Sequence, residues 1–226
     1  KELDLQLPIN SHVEIAYNSS LVKKNPNIEN KNFRNIQIDY KSGLTHTRAF
    51  LEGIDIHKLD AIIILGYRYS IEPYEADTLS LMSLVHLRSL SDLQAVNVNI
   101  AAELLDSSNR QVAERSRSED FIACEELITM AMTQLVENPE LESIFNLILT
   151  AEGPEFHTRN PKDYSTNNKS IQFEDLVRIG LEKSEIVVGV IKKSNENNGS
   201  KVILTPEKSE TLELLENDRI IVFANE

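Results

Sequence analysis

Acidic side chains follow two of the predicted strands, and they are the residues with the clearest potential for chemistry. Glu72, Glu75 and Asp77 come after one apolar strand, and Glu103 and Asp106 end the next. Parallel strands present their carboxyl ends at one edge of a sheet, which is where ligands of open α/β folds bind. With few Lys or Arg residues nearby, such carboxylates repel one another unless a cation neutralises them, and oxygen clusters suit Ca²⁺ or Mg²⁺. One interpretation is therefore a cation site.

The other interpretation gives these carboxylates a purely structural role. Asp106 and Glu75 stand where two predicted helices begin. Negative charge at a helix start is favourable by about 0.3–1 kcal/mol, so capping alone would explain both residues. The residues by themselves leave capping and cation binding open.

Several enzyme signatures are absent from the sequence. No two of the seven glycines are separated by a single residue, so the glycine-rich turn that holds a dinucleotide is missing. There is no Gly-x-Ser-x-Gly elbow, Cys124 has no histidine nearby in sequence, and the five histidines lack the spacing of a zinc pair. Cys124 is expected to be a small buried residue, and the chain is not expected to be an enzyme.

Alternating strands and helices fill the first half of the chain. The segment 60–66 contains a continuous apolar run at 61–65 that is ended by Gly66, which is typical of a central parallel strand covered on both faces. Strands alternating with helices imply a parallel sheet with right-handed crossovers, here a Rossmann-like sheet whose first strand is missing. The predicted strands are 12–17, 33–40, 60–66, 96–104 and 120–123, and the predicted helices are 45–53, 75–90 and 106–117.

Two amphipathic helices follow at 125–136 and 141–149, separated by Asn138-Pro139. Their apolar stripes lead away from a sheet that is already complete. Docking on another domain or subunit explains such stripes, and additional internal core is the alternative. The expected anchors of a subunit contact are Leu127, Met132, Leu135, Ile144 and Phe145.

The last part of the chain reads as a small α+β lobe. Short strands are predicted at 155–159, 185–192, 201–205 and 219–224, with a helix at 173–181. The sequence therefore predicts three parts: a Rossmann-like lobe over residues 1–123, a helix-turn-helix crossover over 124–153, and a carboxyl-terminal lobe over 154–226.

Composition narrows the classes of function. The 226 residues include 23 Lys and Arg against 36 Asp and Glu, a net charge of −13 that argues against nucleic acid as a partner. Hydrophobic residues at 41% and charged residues at 26% are ordinary for a folded globular chain. No apolar run approaches the roughly 20 residues of a membrane span. The first residue is Lys1, and we expect the sequence to be part of a longer chain.

A series of short motifs runs in order along nearly the whole chain. They are Glu-Ala-Asp-Thr at 75–78, His-Leu-Arg at 86–88, Ala-Glu-Leu-Leu-Asp at 102–106, Asn-Arg at 109–110, Asp-Phe-Ile at 120–122, Gln-Leu-Val-Glu-Asn at 134–138 and Glu-Gly at 152–153. This series resembles the Castor/Pollux family of ion channels. The likeness is to the last of the cytosolic regulator-of-K⁺-conductance (RCK) domains of such a channel.

The resemblance implies the same three-part architecture, assembled as a homo-oligomer into a gating ring beneath a tetrameric pore. The chain would then work at the cytoplasmic face of a membrane, with its own channel's pore domain as a partner. In RCK domains a Glu in the Ala-Glu string can ligate Ca²⁺, and Glu103 matches it, while Asp77 is similar to an Asp that can contribute. A second family carboxylate corresponds here to Leu105, which weakens the match.

Two further motifs depart from the family pattern. Its Glu-Gly-Ser-Glu string reads Glu-Gly-Pro-Glu at 152–155, and its Gly-Asp before the final strand reads Asn217-Asp218. Because Asn tolerates a left-handed turn, we expect the fold to be retained.

The first hypothesis is a regulatory gating-ring domain of a potassium or cation channel that senses a ligand. Ca²⁺ is the candidate ligand, with Glu103, Asp77 and Asp106 as its expected ligating residues. Nucleotide binding is not expected within this chain. The alternatives are a nucleotide-dependent oxidoreductase-like enzyme on the same fold and a purely structural assembly domain.

Overall fold

A computed structural model of the chain describes residues 2–22, 33–110, 121–150, 153–164, 170–193 and 200–225. The chain divides into two compact units, Lys1–Pro139 and Glu140–Glu226. This division falls inside the predicted crossover pair of helices, and the three-part boundaries stay a prediction. Within the described residues, no helix combines the length and apolar character needed to span a bilayer.

The first unit contains two small parallel sheets and the helices that connect their strands. In one sheet β1 pairs with β2, with Ser11 opposite Ile36, and the other has the order β3-β4-β5. The strands are β1 (Ser11–Tyr17), β2 (Ile36–Ser42), β3 (Ala61–Ile64), β4 (Asn99–Leu104) and β5 (Phe121–Ala123). The helices are α1 (Glu2–Gln6), α2 (Arg48–Glu52), α3 (Pro73–Gln94) and α4 (Cys124–Glu137), with 3₁₀ turns at Ile56–Lys58 and Ser107–Asn109.

Helix α3 contributes three leucines to the core of this unit. Pro73 lies in the first turn of the helix, where a backbone N–H would have no acceptor within the helix, so proline is tolerated there. Ala95 ends the helix in a left-handed conformation with φ of 53°. Leu84, Leu87 and Leu90 are buried together with apolar residues of β4. The helix buries one face only, because Met82, Val85 and Leu93 are exposed.

The expectation that strand 60–66 is covered on both faces was wrong. The strand is shorter, and it pairs only with β4 among the described residues. Ile62 and Ile64 pack toward the core under α3, while Ile63 and Leu65 on the opposite side are 58% and 69% exposed. Cover by α3 on a single face explains this half-buried pattern.

Other boundaries of the first unit also shifted. The second strand starts at Ile36 rather than at residue 33. Helix α2 starts after Thr47 rather than Thr45, whose hydroxyl is instead hydrogen-bonded to a tyrosine. At the start of the helix predicted over 106–117, Asp106 caps a 3₁₀ turn and Arg110 is helical; residues 111–117 lie outside the described residues.

The second unit is an α+β lobe built on antiparallel pairing. Its larger sheet has the order β6-β11-β8-β9, and β7 pairs separately with β10. The strands are β6 (Glu155–Arg159), β7 (Ser170–Gln172), β8 (Ile186–Lys193), β9 (Ser200–Leu204), β10 (Thr211–Glu213) and β11 (Arg219–Ala224). The helices are α5 (Leu141–Leu149) and α6 (Phe173–Glu182), with a 3₁₀ turn at Pro161–Asp163. The α+β prediction is confirmed, except that β7 and β10 were missed.

Helix α6 covers one face of the larger sheet and forms the core with it. Phe173 and Leu176 of the helix are buried with Val190, Ile220 and Val222 of the strands. The helix can lie this close because of Gly180, where a Cβ atom would stand 2.7 Å from Cγ2 of Val187. The opposite face of the sheet is not part of this core.

Asp218 is a buried carboxylate that anchors the turn before the last strand. It is 1% exposed and accepts hydrogen bonds from the backbone N–H groups of Leu215 and Lys193 at 2.9 and 3.0 Å. Lys192 Nζ lies 3.2 Å from Oδ2 of Asp218, the oxygen that also accepts from Leu215. Burial by itself raises the pKa of Asp218, but the two backbone donors and the ammonium outweigh it and hold that pKa below its usual value.

Candidate functional site

The carboxyl edge of the β3-β4-β5 sheet gathers polar side chains around Glu103, near the end of β4. One carboxylate oxygen accepts a hydrogen bond from the backbone N–H of Gly66 at 2.9 Å. The other is ion-paired with Arg68 and accepts from Sγ of Cys124 at 3.4 Å. Glu103 lies at the predicted edge, with a side chain only 14% exposed. Both of its oxygens already have protein partners.

Arg68 is a residue of this edge that the sequence analysis missed. The sequence predicted too few cations to pair the carboxylates of this edge, and the Arg68–Glu103 ion pair corrects that expectation. Its hydrogen bond and charge interaction with Glu103 raise the pKa of the Arg68 guanidinium further above its usual value. The available signal was that Arg68 is the only Lys or Arg between Lys58 and Arg88.

Cys124 is half-buried rather than fully buried, at the start of α4. Burial, followed by the hydrogen bond to Glu103 and its negative charge, raises the pKa of the thiol. A raised pKa lowers the fraction of reactive thiolate. The geometry therefore gives Cys124 a packing and hydrogen-bonding role.

Asp77 is a fully buried carboxylate on α3 that holds the turn after β4. It accepts from the backbone N–H of Leu105 at 2.7 Å and from that of Asp106 at 2.9 Å. The side-chain amide of Asn109 donates a third hydrogen bond at 2.8 Å. These donors are all neutral, and together they satisfy the buried carboxylate while fastening the 3₁₀ turn to α3.

Asp106 acts as a cap, as the structural interpretation of the sequence predicted. Its side chain accepts from the backbone N–H of Ser108 at 2.8 Å. Hydrogen bonding to the hydroxyl and the backbone N–H of Ser108 lowers the pKa of Asp106. Glu75 similarly lies in the first turn of α3, and both Glu75 and Glu72 are exposed to solvent.

The three carboxylates proposed for Ca²⁺ thus lie along one edge but face different partners. Asp77 touches the backbone of Asp106, while Glu103 turns toward Arg68 and Cys124. Across the described ranges, no group of three or more His, Cys, Asp or Glu side chains is placed to hold a metal ion. Ca²⁺ binding by Glu103, Asp77 and Asp106 stays a prediction.

A tyrosine hydroxyl links the ends of three strands. The Tyr67 hydroxyl, just after β3, accepts from the backbone N–H of Asn18 at 3.0 Å and lies 3.0 Å from the Thr45 hydroxyl. Asn18 follows β1 and is 5% exposed, and Thr45 follows β2. This contact ties the two parallel sheets together at their carboxyl ends. Sequence reasoning missed it, because the three residues are far apart in the chain.

The expected subunit anchors lie on helices that bury none of their residues. On α4, Leu127 and Met132 are 55% and 60% exposed and Leu135 is half-buried. On α5, Ile144 is 49% exposed and Phe145 is half-buried. Apolar stripes this exposed are typical of docking surfaces. The assignment of these five residues to a subunit contact stays a prediction.

The fold is similar to that of a solved gating ring. The human SLO3 gating ring matches 96% of this chain and 48% of its own, with a TM-score of 0.65 at 15% sequence identity. A match at this identity establishes the fold alone. It confirms the predicted class, a Rossmann-like parallel α/β lobe followed by an α+β lobe.

Relatives by sequence are plant ion channels. The probable ion channel SYM8 of Pisum sativum is 24% identical over 222 residues, covering 84% of this chain and 24% of the relative. The probable ion channel POLLUX of Oryza sativa subsp. japonica is 22% identical over 83% of this chain, and the ion channel CASTOR of Lotus japonicus is 23% identical over 69%. No family model matches the chain. These relatives confirm the resemblance to the Castor/Pollux channels, and the chain spans about a quarter of the length of those it matches.

Proposed function

We propose that the chain is the cytosolic, gating-ring portion of a potassium or cation channel of the Castor/Pollux kind. The observation that carries the proposal is an agreement: the stretch related to plant ion channels and the stretch with a gating-ring fold are nearly the same stretch. In this role the chain assembles with copies of itself and acts on its own channel's pore at the cytoplasmic face of a membrane. The number of copies in such a ring is part of the proposal.

A gating ring works by shifting a population between two arrangements. A ligand shifts that population only by binding one arrangement more tightly than the other. Coupling to the pore further requires that copies contact one another, so that a change in one is transmitted to the ring. The exposed apolar stripes of α4 and α5 are suited to such contact.

For ligand sensing, we propose that Glu103 exchanges partners. Its carboxylate is held by Arg68 in the present arrangement, and a divalent cation would compete with that guanidinium for the same oxygen. Asp106 is exposed enough to contribute, whereas Asp77 would support the site by holding the backbone of Leu105 and Asp106. Oxygen ligands of this type suit Ca²⁺.

The proposal is tested first by thermal unfolding of the metal-stripped chain with Ca²⁺, Mg²⁺ and a panel of nucleotides. A ligand at a hundredfold excess over Kd stabilises the folded state by about 2.7 kcal/mol. A shift with Ca²⁺ that disappears in Glu103→Gln supports cation sensing. A shift with nucleotide alone would favour the oxidoreductase-like alternative, and no shift would favour a purely structural ring component.

The channel role itself is tested by recording currents from a channel polypeptide that contains this chain. The variant Leu135→Asp should change the open probability of the channel, because it alters the proposed contact between copies that transmits a change of arrangement to the ring. Gln134→Asp, at an exposed polar position of the same helix, is the matched control. Equal currents from both variants and the unmodified channel would contradict a gating role.

A further inference from the structure

The segment 66–68, directly after β3, is fastened to Glu103 at both of its ends. The backbone N–H of Gly66 donates to one oxygen of the carboxylate at 2.9 Å, and the guanidinium of Arg68 is ion-paired with the other oxygen. Gly66 is also closely packed, since a Cβ atom there would stand 3.2 Å from the side chain of Leu105. The position of the segment therefore depends on where the Glu103 carboxylate points.

Tyr67, the middle residue of the segment, contacts different elements. Its hydroxyl accepts from the backbone N–H of Asn18 at 3.0 Å and lies 3.0 Å from the hydroxyl of Thr45. The carbonyl of Thr45 in turn accepts from the Ser83 hydroxyl of α3 at 3.4 Å. Three consecutive residues thus connect Glu103 with the ends of β1 and β2.

No backbone ladder joins the two parallel sheets of the first unit within the part of the chain that the structure describes. β1 pairs with β2, and β3 pairs with β4. Sheets that share no ladder can shift against each other without breaking a row of backbone hydrogen bonds. Side-chain contacts between them, such as those of the Tyr67 hydroxyl, therefore help to set how one sheet lies against the other.

A change at the ends of the segment reaches its middle residue. Peptide groups are planar and leave two soft dihedral angles per residue, so a shift of Gly66 and Arg68 displaces Tyr67 between them. The N–H of Asn18, a residue only 5% exposed, then loses its acceptor. Because a buried N–H without an acceptor is costly, this contact is either held or released and does not stretch gradually.

We propose that residues 66–68 form a relay that transmits a change of partner at Glu103 to the junction of the two parallel sheets. While Glu103 holds Gly66 and Arg68, the Tyr67 hydroxyl ties the ends of β1 and β2 to the end of β3. When another partner takes the Glu103 carboxylate, the segment is released and the tie loosens. The inference deepens the partner exchange proposed for Glu103 and rests on it. In this relay Arg68 and Tyr67 are positioning residues.

The test is hydrogen exchange of the Asn18 backbone amide, followed by NMR on the metal-stripped chain. Arg68→Ala changes a side chain that is 41% exposed, so the fold should persist. We expect the Asn18 amide to exchange at least about fivefold faster in this variant, since coupling between sites typically begins at that size. Cys124→Ala removes a different partner of Glu103 and is the matched control, which should leave the rate unchanged. Equal rates in Arg68→Ala and the unmodified chain would overturn the inference.

Coupling between two sites is reciprocal, so the relay also acts in the opposite direction. Tyr67→Phe removes only the hydroxyl that holds Asn18. We expect the amide of Gly66, whose acceptor is Glu103, to exchange faster by a similar factor. Tyr69→Phe is the same substitution at a side chain that is 94% exposed, and it should change neither amide. An unchanged Gly66 rate in Tyr67→Phe would mean two independent contacts and no relay.

Addition of Ca²⁺ to the unmodified chain separates the relay from the proposed ligand sensing. If the cation takes the place of Arg68 on Glu103, Ca²⁺ should speed exchange of the Asn18 amide as Arg68→Ala does, and Glu103→Gln should abolish this response. If Arg68→Ala speeds the exchange and Ca²⁺ does not, the relay stands and the proposed sensing of Ca²⁺ fails. If neither changes the rate, both fail.

Discussion

Two kinds of surface differ in how many of their side chains have partners within one copy of the chain. One is the polar edge of the first unit, and the other comprises the apolar surfaces of α4, of α5 and of the sheet face of the second unit that lies opposite α6. At the polar edge, Glu103 and Asp77 have protein partners for every carboxylate oxygen. On the apolar surfaces, side chains such as Met132 and Leu204 remain 60% exposed. The described structure therefore supports self-assembly more directly than ligand binding. Its apolar side chains on these surfaces are exposed to solvent, whereas the carboxylates of the polar edge already have protein partners.

The largest expected effect is on stability at the polar edge. Asp77→Ala leaves two part-buried backbone N–H groups and one side-chain amide without this acceptor, and each such loss costs about 1–3 kcal/mol. We therefore expect a loss of about 3 kcal/mol or more in urea unfolding, with or without Ca²⁺. Asp106→Ala, at the exposed cap nearby, is the matched control and should cost much less. A loss seen only with Ca²⁺ present would instead identify Asp77 as a metal ligand.

The next effect concerns Asp218, the corresponding buried carboxylate of the second unit. Its folded-state pKa is lowered, so its contribution to stability is present above the unfolded value of about 3.9 and is lost as pH falls through the folded pKa. Asp218→Asn should cost about 1–3 kcal/mol at neutral pH, since its donors lose a charged acceptor. Unfolding followed between neutral pH and pH 2 should show a weaker pH dependence in the variant. Parallel curves for the two proteins would contradict this account of Asp218.

A smaller free-energy change is expected for self-association. Leu135→Asp and Phe145→Asp each place a charge in an apolar contact, and we expect the dissociation constant to rise at least tenfold, about 1.4 kcal/mol. Gln134→Asp and Asn146→Asp, at exposed positions beside them, control for added charge. Light scattering measures the mass, and circular dichroism verifies the fold. Unchanged association in both apolar variants would remove these helices from the interface.

The smallest effect is the response to Ca²⁺ through Glu103. Arg68→Ala should enlarge any thermal shift caused by Ca²⁺, because it removes the cation that competes for the Glu103 carboxylate. Glu103→Gln should abolish that shift. If Arg68→Ala abolishes the shift as well, the ion pair supports the binding site rather than competing with it.

The sequence predicted elements whose signal is local. The bounds of β6 and β11 were predicted to the residue, and in β11 the residues after Arg219 form a continuous apolar run. The three-residue strands β7 and β10 were missed, since three residues are too few to show a period. Cover of the strand faces was also predicted poorly, because the pattern of 60–66 does not reveal that, in the described part of the chain, α3 packs on one face of β3 while Ile63 on the other face stays exposed.

In the candidate site, too, contacts between residues close in sequence were predicted and contacts between distant residues were not. The cap at Asp106 depends on a residue two positions away, and it was predicted. The pairing of Arg68 with Glu103 joins residues 35 positions apart, and only the fold brings them together. The role of Asp77 was likewise missed, because two of its three partners are backbone N–H groups, which leave no mark in the sequence.

The most direct measurement of the central claim is the mass of the unmodified chain by light scattering over a range of concentrations, with and without Ca²⁺. If the apolar surfaces drive assembly, the mass rises to at least twice 25.6 kDa without any added cation. A mass of 25.6 kDa at every concentration, with or without Ca²⁺, would contradict the account.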